Sequence, residues 1–183
     1  PHNRSHPFPF RFAQPVGPAP GVDAGLVEDF VCNPVAHTGG KDLVEEDGTI
    51  VDLKTFKDIY DLRILTTRAM GELSPRPVTD RHRHRMTDLI KQAEQMRGAQ
   101  DVEAYAAFCD ELQALVLDLI GSKPLREMTD ILYYRVARIW YTFLPSFDWD
   151  DVVNGLLEEL HGMADAMAQN DVAGVGRVRA EYM

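Results

Sequence analysis

Cysteine is nearly absent from this chain. Two occur in 183 residues, Cys32 and Cys109. That is too few, too far apart, for a disulfide framework or a cysteine metal site. The pattern fits a reducing cytoplasm, with Cys109 a small buried residue. Basic charge is short as well: 19 Lys and Arg stand against 29 Asp and Glu, a formal net charge of −10. A phosphate-binding face needs concentrated positive charge, so the chain by itself is not expected to hold nucleic acid. No apolar run approaches membrane-spanning length and nothing resembles a signal peptide, which points to a soluble cytoplasmic protein with no membrane partner. Also missing are a glycine-rich phosphate loop, a nucleophile beside its base, and two histidines four apart on one helix. An enzyme is therefore not expected.

What is present reads as one globular domain with an arm. Hydrophobic content is 45% and charged content 26%, ordinary for a folded chain of this length. Six of the 11 prolines fall in the first 21 residues, where they remove backbone donors and favour extended backbone. Residues 1–51 thus read as a proline-rich arm or linker. Phe8, Phe10 and Phe12 alternate along it as if to lie on a neighbouring surface, and "DAGLVEDFV" suggests a short helix ended by "NPVAHTGGKD".

From residue 52 the apolar residues recur at helical spacing. "VDLKTFKDIYDLRILTTRAMGEL" stops at "SPRP". "VTDRHRHRMTDLIKQAEQMRG" starts near Thr79 or Asp80, and "DVEAYAAFCDELQALVLDLIG" has Asp101 as its cap. "PLREMTDILYYRVARIWYTFL" opens on Pro124, a first-turn proline, and closes before Pro145. "DDVVNGLLEELHGMADAMAQND" and the glycine-weakened "DVAGVGRVRAEYM" follow. Strand alternation is absent and linkers are short. The expectation is an all-α antiparallel bundle of six to seven helices over residues 52–183.

Several polar residues invite a functional reading. "RHRHR", residues 81–85, wraps around its helix, since same-face neighbours lie three or four apart, and reads as a solvated, partly paired face. Asp148, Asp150 and Asp151 suit a helix start. More telling are polar groups expected on buried faces. Arg63 interrupts the first long helix, and Asp110 follows Phe108 close to the Leu112 and Leu115 stripe. Arg135 and Arg138 alternate with Tyr133, Tyr134, Trp140 and Tyr141. His161 lies on the edge of the stripe Val153, Leu156, Leu157, Leu160, Ala164 and Met167. Such groups converge on a ligand cavity inside the bundle or form internal salt bridges, Arg63 with Asp110 for example. Spacing alone leaves both readings open.

In this order the segments resemble the effector-binding C-terminal domain of GntR-family transcription regulators of the FadR type. The resemblance runs from about Leu53 to Met183. It rests on "DIYDLRILTTRAM" with its arginine at Arg63, on Asp110 fourteen residues before Pro124, and on "YYRVARIWYTF". The closing "LLEELHGMADAMAQNDVAGVGRVRAEYM" completes the set. The family implies a bacterial regulator whose bundle binds a small carboxylate, often beside a metal held by an aspartate and three histidines. Carried over, those positions are Asp110, Ala114, His161 and Tyr182. Alanine cannot coordinate and neutral tyrosine is a poor ligand for the usual divalent ions. No tightly bound metal or other cofactor is expected, and at most a weak divalent site at Asp110 and His161 completed by an anionic ligand.

The loss resembles the metal-free, fatty-acid-sensing branch of the family, so the resemblance implies an acyl-CoA, fatty acid or other carboxylate effector. Arg63, Asp110, Tyr134, Arg135, Arg138, His161 and Tyr182 are the expected effector-binding residues. It also implies a homodimer and a DNA-binding winged helix-turn-helix, which residues 1–51 do not resemble. DNA contact is expected only through a domain not recognisable in this chain. The alternative is a helical protein-interaction or dimerisation module with no small-molecule ligand.

Overall fold

The structure, a computed structural model, describes residues 42–44, 50–98 and 100–183; the side chains of 42–44, 50–53, 138 and 142 lie outside that description. The phenylalanines of the arm, the segment "DAGLVEDFV" and Cys32 fall outside the described residues. Two short strands, β1 (Asp42–Val44) and β2 (Ile50–Asp52), pair antiparallel with Leu43 opposite Val51. This hairpin departs from the strand-free expectation. "DLV" and "IVD" carry β-branched residues, but three residues are too few to show alternation.

Six α-helices follow: α1 (Leu53–Arg68), α2 (Asp80–Gln95), α3 (Val102–Asp118), α4 (Lys123–Phe143), α5 (Trp149–Ala168) and α6 (Val172–Glu181). The architecture is all-α. Single 3₁₀ turns continue α1 (Ala69–Gly71) and α4 (Leu144–Ser146). Local chemistry sets the boundaries. Thr79, Asp101, Ser122, Asp148 and Asp171 each accept an N–H of the first turn of the helix they precede, worth about 1 kcal/mol apiece. Pro124 sits in the first turn of α4, where a missing N–H does no harm, and Pro145 follows its end. Asn170 takes a left-handed backbone (φ 56°) in the turn between α5 and α6.

The helices pack α2 on α3 and α5, α3 on α4, α4 on α1, and α6 against α1 and α5. Leu112, Leu119, Val153, Leu160, Met163 and Met167 lie at the centre of the core, while Phe56, Val136 and Ile139 join α1 to α4 in a smaller cluster. The glycines that weaken α6 as a helix let it come close. A Cβ on Gly176 would stand 2.6 Å from the Thr67 carbonyl oxygen, and one on Gly71 would overlap the backbone of Ala173. Backbone contact here outweighs the ~1 kcal/mol that glycine costs in a helix.

"RHRHR" does wrap around its helix, but it is not all surface. His82 is buried. Its Nδ1 accepts the Thr79 N–H (3.0 Å), completing a capping box, and its Nε2 lies 3.2 Å from Asp118 Oδ2 at the end of α3. The first bond requires an unprotonated Nδ1, so Nε2 carries the proton and donates to Asp118. A histidine read as surface is the latch between α2 and α3.

Candidate functional site

Arg63 is 7% exposed, on the face of α1 that carries Phe56 and Thr67 inward. Its guanidinium lies 5.3 Å from the ring centre of Tyr133 on α4 and 5.8 Å from that of Tyr60. Among the described residues no carboxylate pairs with it. Burial pulls its proton affinity below that of a free arginine, and Arg179 pulls the same way, against the opposing influence of Tyr60, Tyr133 and Glu159. Two ring contacts contribute about 0.5–2 kcal/mol each, whereas removing a cation from water costs several kcal/mol. Arg63 is an under-compensated buried charge.

Across from it, Glu159 of α5 and Arg179 of α6 form a buried ion pair, 2% and 7% exposed. Nη1 of Arg179 donates to Glu159 Oε1, while its Nε is buried with no partner. Burial alone would weaken the Arg179 proton; the Glu159 charge and hydrogen bond more than offset that and hold it above the ordinary arginine range. Arg63 and Arg179 are close enough to repel each other. The interior therefore gathers two guanidiniums and one carboxylate.

A hydroxyl chain runs beside this cluster. Tyr133 donates to Asp110 Oδ1 at 2.8 Å and meets the Tyr141 hydroxyl at 3.2 Å. Burial raises the pKa of both phenols, so they stay protonated. Burial also pushes the Cys109 thiol, which touches the Tyr105 and Tyr141 hydroxyls, up to about 11. Such a thiol is a packing group rather than a nucleophile. Between α3 and α4, the Gln113 amide donates to the Thr129 carbonyl (3.5 Å), and the buried Thr129 hydroxyl has no partner.

Only part of the expected constellation assembles. Arg63 is inside as expected, but it does not pair with Asp110, which is exposed and engaged by Tyr133. Tyr134 and Arg135 are exposed, although the Tyr134 ring meets that of Tyr133 edge-on, with ring centres 5.0 Å apart. The side chain of Arg138 lies outside those described. Tyr182 is half-buried and reaches Glu158 Oε2 at 3.4 Å. His161 is exposed, which corrects its expected inward position. At 100° per residue it points about 130° from the line through the buried Leu160 and Met163. The stripe's edge is not its face.

Glu159 and Arg179 were missed by the sequence reading. Both stand in apolar rows: Leu156, Glu159, Leu160, Met163 on α5 and Val172, Val175, Gly176, Arg179 on α6. An ionisable residue within such a row, on two neighbouring helices and of opposite sign, is a signal the sequence did contain.

The family-type metal does not fit these residues. Asp110, Ala114 and His161 are exposed, and among the described residues no group of three or more His, Cys, Asp or Glu could hold an ion. A divalent cation would also add charge beside two guanidiniums. Among the described residues no helix is long and apolar enough to cross a membrane.

Comparison with known proteins agrees with the geometry at the level of the domain. The family model described as FCD domain matches residues 58–183. No curated protein and no solved structure gives a significant match.

Proposed function

The chain belongs to the FCD family, the effector-binding domain of GntR-type regulators, and from that premise we propose that Arg63 is the anchor for its effector. Domains of this class bind small carboxylate-type ligands and do not catalyse, so the chain is not an enzyme. One observation carries the proposal: a buried guanidinium packed between Tyr60 and Tyr133 with, among the described residues, no carboxylate to pair with it. A carboxylate there would form charge-assisted, two-pronged hydrogen bonds in a low-dielectric interior.

The effector reading favours a carboxylate or fatty acid over an acyl-CoA. Phosphates need several basic groups together, and Arg135 points to solvent rather than toward Arg63. Tyr182 and the Tyr133–Asp110 pair flank the cluster and complete the proposed binding region. Bound effector would shift the equilibrium between two arrangements of the bundle, and so the spacing of DNA-binding domains attached elsewhere. The setting is the bacterial cytoplasm. The test is thermal unfolding of the chain with small carboxylates and fatty acids. A ligand that binds only the folded state raises the melting temperature, about 2.7 kcal/mol at a hundredfold excess over Kd. No shift with any of them sinks the proposal.

Dimerisation has an observation of its own. Leu62 and Leu65 on α1, and Met128, Ile131 and Tyr134 on the adjoining α4, are exposed apolar side chains, Leu65 at 61%. We assign this face to a second copy of the chain. Its loss is read by light scattering: Leu65→Glu with Ile131→Glu should halve the mass of the particle. An unchanged mass places the interface elsewhere, or shows there is none.

A further inference from the structure

The charge count of the interior says more than that an anion binds. Arg63, Arg179 and Glu159 are each at least nine-tenths buried, and arginine does not give up its proton in a protein. With Glu159 paired to Arg179, the buried charges among the described residues leave one unit of positive charge in excess. Asp110 does not cancel it, because its carboxylate is exposed to water and bonded to Tyr133 rather than to either arginine. The donor inventory agrees. Glu159 takes one nitrogen of Arg179, whose Nε remains buried and unsatisfied, and among the described residues no carboxylate pairs with the Arg63 guanidinium.

We infer that the effector carries a single carboxylate at this end, received by Arg63 and the spare Nε of Arg179, with Glu159 as the built-in counter-charge that excludes dianions. The inference rests on the effector reading above and adds its valence. One ligand carboxylate supplies the one missing negative charge, a counter-ion for Arg63 and an acceptor for the unsatisfied Nε of Arg179. A second carboxylate brought into the same interior would stand beside Glu159 with no cation left to pair, and an unpaired buried charge is strongly disfavoured. Glu159 is then a specificity residue that acts by repulsion.

The experiment uses the full chain and probes matched in length: butyrate, hexanoate and octanoate against succinate, adipate and suberate, by calorimetry and by thermal shift. The wild type should bind at least one monocarboxylate about tenfold or more tightly than its dicarboxylate counterpart. Glu159→Gln raises the excess to two positive charges and should move that ratio toward the dicarboxylate by about tenfold or more. Because that variant breaks a buried pair, Glu159→Asp, which keeps the negative charge, serves as its control. It should retain the preference for monocarboxylates. Equal or tighter binding of dicarboxylates by the wild type, or a reversed preference in E159D, overturns the valence inference and leaves the effector reading standing. If neither series binds the wild type or E159Q, the effector reading itself fails.

Discussion

Replacing Arg63 by methionine should make the unliganded protein more stable while abolishing its response to carboxylates. The perturbation keeps most of the side-chain stem and volume between Tyr60 and Tyr133 and removes the charge. Two opposing quantities decide the sign. Desolvating the guanidinium, with no carboxylate among the described residues to pair with it, costs several kcal/mol. The two ring contacts at 5.3 and 5.8 Å return about 0.5–2 kcal/mol each. The balance is a net penalty of roughly 1–3 kcal/mol in the unliganded state, which R63M would relieve. The assay is urea unfolding of both chains without ligand, then thermal unfolding with and without a bound monocarboxylate. The unliganded variant should gain about 1–3 kcal/mol, or several degrees in melting temperature, and ligand should shift only the wild type. A loss of 3 kcal/mol or more (roughly that of a broken buried ion pair) would refute the reasoning. It would mean that Arg63 has its counter-ion within the chain and serves stability rather than ligand binding.

The ion pair should behave in the opposite way. Arg179→Met leaves Glu159 buried and alone and should cost about 3–5 kcal/mol, whereas E159Q/R179Q should recover most of that loss; equal losses in chemical denaturation would show that the two residues are not coupled. His161→Ala removes an exposed ring, so stability should change by less than about 0.5 kcal/mol with effector affinity untouched. A tenfold loss of affinity would return His161 to the site. Cys109 ionises near 9 when unfolded and at about 11 when folded. The folded state therefore keeps its proton longer, and stability should fall as pH rises from 9 to 11. In a Cys32→Ala background, further replacement Cys109→Ala should flatten that slope, and Cys109 in the folded chain should alkylate far more slowly at pH 8 than in urea.

Most of the fold could be read from the sequence because its signals are local. Thr79, Asp101 and Asp171 precede their helices as capping residues whatever the rest of the chain does, and Pro124 and Pro145 bracket α4 by removing donors. The stripe on α5 was right residue by residue at Leu156, Leu157, Leu160 and Met167. His82 was misplaced for a different reason. Nothing within five residues says that its imidazole meets Asp118, thirty-six positions on, at the end of another helix. The burial of a polar group is decided by whether a partner waits for it across the bundle, and that information is not local.

The same distinction explains the site. The burial of Arg63 is legible because a charge in an apolar row breaks a local pattern, whereas the exposure of His161 is not, because a position at a stripe's edge can turn either way. Glu159 and Arg179 break their rows just as Arg63 does, twenty residues apart. They escaped because each alone looks like an ordinary charge at the margin of a helix, and only the α5–α6 packing makes them a pair. Their pairing changes what Arg63 means. With Glu159 free to reach Arg63, the interior would be an internally neutralised salt bridge and an argument for a purely structural bundle. With Glu159 committed to Arg179, Arg63 is left over, and the leftover charge is what asks for a ligand. The residue that separates sensor from scaffold under the proposed function is thus Arg179, which holds Glu159 and so leaves the Arg63 charge for a ligand.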